Sequence, residues 1–385
     1  MKQYDVIIIG AGAAGLFAAK SALARGRRVA IFEMGNTPAR KVMASGGGNC
    51  NITNADVSYS RYFGMNPDFV RGALSRVTPD DIIKWANEHH IKLIEKTPGR
   101  YFCADGANVV VDALMQDTKS ADFIYNTCVT SVTKADNLFR VTAQNKTYVA
   151  QSVIVATGGV SFPTLGVSDT GYKIAKSFGH KIVPVRPALC AIATPTFPTE
   201  FAGISLDAEI TIGKNRVHDS LLFTHFGIGG PAAYRASLYD ITDGIVINLL
   251  PNVNLYKIFD DYKRTNGRKT PIGILGEYLP HKIAKWIVGE NTRNIADIKN
   301  SDIEQIINRI QKIHIPANQI KLHGMQSAEV VRGGVDTNEV SSKTMESKLC
   351  PGIFWCGEVL DIAGDLGGFN LHWAWASGYV AGQNA

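Results

Sequence analysis

The chain has 385 residues, 45% hydrophobic and 19% charged, which excludes a small lone binding module and a disordered chain and points to two or three domains of about 100–200 residues. Forty Lys and Arg against thirty-four Asp and Glu leave a formal charge of +6, a balance that favours anionic partners such as nucleotides or RNA. The six cysteines form no C-x-x-C pair and no zinc spacing, so neither a metal site nor a disulfide framework is expected, and a reducing cytoplasm suits the chain.

Tyr4 to Ile9 is a short β-branched run. The turn Gly10-Ala11-Gly12-Ala13-Ala14-Gly15, an Ala-rich helical stretch to Ala24 and a second strand over Val29 to Phe32 complete a βαβ unit. Glycines at fixed offsets, with Asp5 before them, separate this apolar start from a signal segment. Thr78-Pro79-Asp80-Asp81 predicts a helix start carrying Trp85 and His89 on its body. Alternation from Val129 to Ala150 predicts an antiparallel meander, and Val153 to Ala156 a separate buried strand. Rising proline density from Pro184 to Pro198, then alternation over Ile204 to Ile212, marks a domain boundary. A strand over Ile245 to Leu250 follows. Ser301 and Glu304 predict a capping box for a helix presenting Ile303, Ile306, Ile307, Ile310 and Ile313 on one face. Glycine-rich motifs return after Gln319, so the first domain is expected to resume after an insert. The last 20 residues carry no charge, yet Gly367, Gly368, Asn370, His372 and Gly378 make them a poor membrane span, and no targeting or membrane segment is expected.

The Gly10-x-Gly12-x-x-Gly15 turn has the layout of a pyrophosphate site. Gly10 makes the turn, Gly12 admits the ligand, Gly15 lets helix and strand approach, and the helix N-terminus adds N–H donors and positive dipole. Glu33, 18 positions after Gly15 at the end of the second strand, suits the adenosine ribose hydroxyls; its bland alternative is a solvated strand end. Arg40-Lys41 and the Ser45-Gly46-Gly47-Gly48-Asn49-Cys50-Asn51 loop lie where a nicotinamide dehydrogenase would have its next helix, and such a loop can pass close to a flat ring. Ala156-Thr157-Gly158-Gly159 and Gly357-Glu358 are further glycine turns at strand ends. Gly367-Gly368-Phe369-Asn370 opens an apolar helical stretch whose N–H groups could stabilise charge on a reduced flavin.

At this point the sequence resembles the YhiN/BaiN-like bacterial flavoproteins over nearly its whole length, through GAGAAG, RK with SGGG-x-CN-x-TN, ATGG, LLFTHFGIGGPA, GGVDTNE, TMESK and GEVLDIAGDLGGFN. The resemblance implies an α/β fold: a Rossmann-like FAD/NAD(P)-binding domain of glutathione-reductase type with an inserted β-barrel plus helical domain. The expected boundaries are 1–190 and 323–385 for the FAD-binding domain and 191–322 for the insert, barrel to about 253 and helices over about 254–315. Carried over by motif, FAD contacts fall on Gly10, Gly12, Gly15, Glu33, Arg40, Lys41, Gly46, Gly47, Ala156, Gly158, Gly357, Glu358, Gly368, Phe369 and Asn370. The chain departs from the family at Asn49, where SGGGRCN has Arg, at Ile228 to Gly230, and at His372, where many relatives have Gln.

No second dinucleotide turn is present, so NAD(P)H is expected to act as a transient electron donor. The activities implied by the resemblance are reduction of conjugated C=C bonds, in steroid-like acids or in a uridine of ribosomal RNA, and oxidation of an aminoketone. A rival from another class is a flavin-bound RNA-binding or sensor protein. The proton partner is Cys50, His225 or His372, with Arg100 and His225 as substrate-binding candidates. An RNA substrate calls for a basic approach surface, and residues 257–293 carry eight Lys and Arg against four Asp and Glu. Otherwise the partner is a small molecule; no membrane is expected, and the sequence leaves the oligomeric state open.

Overall fold

Continuous apolar runs build the central strands, because a parallel sheet covered by helices leaves neither face wet. The computed structural model describes residues 2–290 and 293–385. In chain order the first elements are β1 (Gln3–Ile9), α1 (Ala13–Leu23), β2 (Val29–Phe32), β3 (Asn51–Asn54), α2 (Pro79–Glu88), β4 (Arg100–Cys103) and α3 (Ala107–Asp117). They are followed by β5 (Asp122–Ile124), β6 (Val129–Ala135), β7 (Leu138–Ala143) and β8 (Lys146–Val155). These belong to one unit, residues 1–188 with 325–385, and residues 189–324 form a second.

The first unit's main sheet runs β5-β2-β1-β8-β7-β6, with β9 (Ile353–Trp355) also paired to β8. Strands β5, β2, β1, β8 and β9 are parallel, and Val6, Ile7 and Ile8 of β1 are wholly buried. The meander and the buried strand expected from the sequence as separate elements are continuous. β8 pairs antiparallel with β7 over residues 146–150, then parallel with β9 over 153–155, while keeping β1 on its other side. Gln151 and Ser152 stay extended, with neither a glycine nor a proline to break the run, so the strand passes through them. α2 begins where expected. Thr78 caps it, its hydroxyl accepting from Asp81 N while the Asp81 carboxylate accepts from Thr78 N.

The second unit holds a seven-stranded antiparallel sheet ordered Ile313–Ile315, Ile245–Asn248, Ser205–Ile212, Asn215–Thr224, Gly227–Gly229, Ile192–Ala193 and Lys321–Leu322. Only residues 316–320 join the two outermost strands, so the sheet must curl back on itself. Helices α4 (His281–Val288) and α5 (Asn300–Gln311) bury Ile283, Ile287, Ile303, Ile306, Ile307 and Ile310 in this unit's own core. The expected Ser301–Glu304 capping box is absent. α5 starts earlier, with Lys299 at its N-cap, so Ser301 already lies inside the first turn. The basic stretch is also less available than its sequence implies. Lys263 donates to Ile298 O and Asn300 Oδ1, Arg264 pairs with Asp260, Lys269 with Glu277 and Arg293 with Asp302.

The uncharged C-terminal stretch forms α6 (Phe369–Asn384), which is buried nearly all round and lies on α1. Small residues allow the contact. A Cβ at Gly378 would run into Ala14 O, and one at Gly382 into Ala18 O. Trp373 and Trp375 are buried with their indole N–H groups satisfied by Gly357 O and Ile52 O. Among the described residues no helix is long and apolar enough to cross a membrane.

Candidate functional site

β1 delivers the chain to the glycine turn, and the three glycines serve different ends. Gly10 has φ +107°, and a Cβ there would strike Ala156 O; one at Gly15 would strike Gly10 O. The protein itself demands those two. Gly12 is different: it takes an ordinary extended φ of −82° as the N-cap of α1, and an added Cβ would meet nothing within 4 Å. No side chain caps α1 and no acid lies in its first turn. The result is an open cradle over uncapped helical N–H groups, which suits a phosphate.

Glu33, at the end of β2, is only 8% exposed, so the solvated reading fails. Its carboxylate accepts from Ala11 N at 3.0 Å, Gly35 N at 2.8 Å and Arg40 Nη2 at 3.2 Å. A carboxylate offers about four acceptor positions, so capacity for a hydroxyl remains. Arg40 also donates to Gly166 O, while Lys41 Nζ donates to Glu358 Oε2 at 2.7 Å and Ser161 Oγ at 2.9 Å. Glu358 in turn accepts from Val331 N. Five of the sequence-derived cofactor positions therefore meet as two ion pairs and a turn: Glu33 with Arg40, Lys41 with Glu358, and Gly12 beside Ala11.

In the loop after α1β2, Gly46 and Gly47 both take left-handed φ, 58° and 64°, and Gly47 and Gly48 leave their side-chain positions open. Gly158 is likewise left-handed and open, beside Ala156 at the end of β8, while a Cβ at Gly357 would press on Ala14 Cβ. At the start of α6, Gly368 has φ 96°, and Phe369 is buried beneath the Arg61 guanidinium. The Asn370 amide closes the preceding turn, accepting from Gly364 N and donating to Gly364 O. No side chain caps α6. Arg100, on β4, lies against this turn, since a Cβ at Gly367 would crowd its guanidinium.

Two of the three proton-partner candidates do not suit that role. Cys50 has no exposed surface, and burial pushes its thiol up to about 12, too firm a hold on the proton for a donor near neutral pH. His372 is wholly buried with both ring nitrogens engaged. Nε2 must donate to Val77 O at 2.9 Å, which leaves Nδ1 to accept from Thr53 Oγ1 at 2.8 Å. Burial brings its pKa down to about 4. Between about pH 6.5 and 4 the unfolded chain takes up a proton that the folded chain refuses, so stability falls as pH falls through that window, by roughly 3 kcal/mol for this site. His372→Gln, which cannot titrate, is expected to flatten the acid limb of the melting temperature against pH. A limb unchanged in the variant would assign the acid loss elsewhere.

His225 belongs to the second unit, exposed in the turn between Asn215–Thr224 and Gly227–Gly229; its neighbour Phe226 stacks on His323 with ring centres 4.3 Å apart. The sequence reading missed Ser161 and Glu329. Glu329 is reached by solvent yet surrounded by protein, and burial raises its carboxyl although Arg100 and Lys41 oppose the rise. Its backbone carbonyl accepts from Ser161 Oγ. No local signal marks either residue, because each joins the cluster through contacts more than 100 positions apart in the chain.

Residues 4–384 match the family described as HI0933-like protein Rossmann domain. The chain is 36% identical to the ribosomal RNA dihydrouridine synthase of Escherichia coli (strain K12), with 100% of this chain and 98% of that protein covered. It is 38% identical to the ribosomal RNA dihydrouridine synthase of Haemophilus influenzae (strain ATCC 51907 / DSM 11121 / KW20 / Rd), over 99% and 98% of the two chains. It is 29% identical to the 3-dehydro-bile acid delta(4,6)-reductase of Clostridium scindens (strain ATCC 35704 / DSM 5676 / VPI 13733 / 19), over 98% of each.

Proposed function

The chain belongs to the HI0933-like Rossmann family and is an FAD-dependent oxidoreductase, and from that premise we propose that it reduces a uridine of ribosomal RNA to dihydrouridine with NAD(P)H as transient electron donor. The choice of substrate rests on the near full-length likeness to two ribosomal RNA dihydrouridine synthases. The fit of the cofactor rests on Gly12, the glycine of the turn whose side-chain position the protein leaves open.

In this reading the N–H groups of α1, with Gly10, Gly12 and Gly15, hold the pyrophosphate, and Glu33 accepts from the ribose with the capacity its three protein donors leave. Arg40, Lys41, Gly46, Gly47, Ala156, Gly158, Gly357 and Glu358 line the remainder of the cofactor, and the N–H groups of Gly368, Phe369 and Asn370 serve its acceptor edge. Once reduced by NAD(P)H, bound FAD would supply hydride to a polarised C=C, here C5=C6 of the uracil ring, which would also take up one proton. The raised carboxyl of Glu329 is the candidate proton source, and Arg100 holds an anionic part of the substrate. A ribosomal RNA substrate places the enzyme in the cytoplasm.

Mass spectrometry of ribosomal RNA from a strain lacking this protein tests the proposal. Dihydrouridine is expected to disappear at one position and to return with the parent protein but not with Gly12→Val. Dihydrouridine at the parental level would move the assignment to a small conjugated substrate of the kind named for the Clostridium scindens relative.

A further inference from the structure

Solvent reaches the Glu329 carboxyl, and among the described residues its oxygens enter no hydrogen bond or ion pair. Its place is therefore set through its backbone, just before the strand Val330–Val335. Two tethers reach that stretch from one short segment. Phe162 N donates to Met325 O at 2.8 Å, and Ser161 Oγ, wholly buried, donates to Glu329 O at 3.3 Å. The segment carries strain. Phe162 has φ +58°, a left-handed backbone that a bulky residue rarely adopts and that persists only where its surroundings hold it.

Ser161 also meets the ion pair formed by two of the cofactor positions. Lys41 Nζ donates to its oxygen at 2.9 Å, and its single hydrogen is shared between Glu329 O and Glu358 Oε1, the latter at 3.4 Å. An ammonium donating into a hydroxyl strengthens that hydroxyl as a donor. Glu358 accepts from Lys41 and from Val331 N, two residues beyond Glu329. One buried hydroxyl thus joins the Arg40-Lys41 segment, the Gly357-Glu358 turn and the stretch that carries Glu329.

We propose that Ser161 is a positioning residue for the reduction: through the Glu329 carbonyl it fixes the place from which the Glu329 carboxyl delivers its proton. The proposal rests on the reading of Glu329 as proton source. Reduction of the C=C adds hydride at one carbon and this proton at the other, the π pair forming the bond to the proton, and the carboxylate left behind regains a proton from the solvent that reaches it. Misplacing a reacting group by about 1 Å can cost about a hundredfold in rate. A carboxyl released toward water also loses part of the proton affinity that burial gives it.

Ser161→Ala removes the hydroxyl with little change of volume, and thermal melts verify that the variant is folded. Infrared titration of the full-length protein with its FAD follows the carboxylic acid C=O band that Glu329→Gln lacks. The midpoint of that band is expected above the ordinary glutamate range in the parent and closer to it in Ser161→Ala. Stopped-flow mixing then follows reoxidation of the photoreduced protein, without oxygen, by ribosomal RNA from the deletion strain. The protonated carboxyl is the active form, so the rate falls as pH rises through its midpoint, and in Ser161→Ala that fall should begin at lower pH. At saturating RNA the rate should drop about tenfold or more in Ser161→Ala and about a hundredfold or more in Glu329→Gln, with FAD content and half-saturating RNA unchanged in Ser161→Ala. A parental midpoint or a parental pH limb in Ser161→Ala, or loss of FAD there in place of slowed reoxidation, would overturn the proposal. A parental rate in Glu329→Gln removes the proton-source reading and the proposal with it. Failure of ribosomal RNA to reoxidise the parent removes the substrate reading alone, since the infrared titration still decides whether Ser161 holds the Glu329 carboxyl.

Discussion

Gly12→Val is expected to yield a folded, colourless protein. The valine side chain has room within the protein, since a Cβ there meets nothing within 4 Å and the backbone is extended rather than left-handed. Its melting temperature should therefore stay within about 2 °C of the FAD-free parent, the range of a neutral surface substitution. The space that it fills is the cradle over α1. Overlap costs about 1–3 kcal/mol, and each lost N–H bond to a charged group about 1.5–3 kcal/mol, so FAD affinity should fall by about a thousandfold or more. Gly15→Val is the contrasting case. Its side chain would run into Gly10 O, so it should damage the fold itself. Visible absorbance and thermal melts of both variants separate the two effects. Stoichiometric FAD in purified Gly12→Val would sink the cofactor assignment.

Gly378→Val should be among the most destabilising single changes in the first unit. The new side chain would be driven into the backbone of α1 at Ala14, and backbone held by a sheet on its far side cannot give way as a flexible side-chain end would. Overpacking of a well-packed core costs about 1–3 kcal/mol and more where backbone must move, so a drop of about 6–12 °C in melting temperature is expected. Because α1 also carries the phosphate cradle, FAD should be released at a lower temperature too. Flavin fluorescence and circular dichroism followed through the same melt give both numbers. A melt within 2 °C of the parent would mean that α1 and α6 tolerate separation.

The parts of this structure legible in the sequence are those that local chemistry decides. Strand, glycine turn, helix and Glu33 lie within the first 33 residues, and each is fixed by neighbours in the chain. The same holds for the Thr78 cap. Legibility fails where distant segments decide. Cys50 carries a reactive group inside a signature motif and His372 one just beyond another, but their total burial is a property of packing that no motif records. Glu329 has no motif of its own and acquires meaning through Arg100, Lys41 and Ser161. The α5 start failed for a different reason: Ser301 and Glu304 have capping-box spacing, yet Lys299 and Asn300 can also begin a helix, and packing of the isoleucine face chose between them.

The α1–α6 contact also sets a timetable for synthesis. The partner of α1 begins at Phe369, some 345 residues after α1 ends at Leu23. At about 5–20 residues per second, roughly 17–70 s pass on the ribosome before the helix that covers α1 exists. The second unit, residues 189–324, is by then entirely synthesised and can fold ahead of the unit that surrounds it in sequence. Through that interval the small-residue face of α1 and one side of β8, which still lacks β9, stand uncovered as a sticky surface. A chaperone that holds the amino-terminal segment until α6 emerges is the expected cellular counterpart of a fold whose α1 is covered so late.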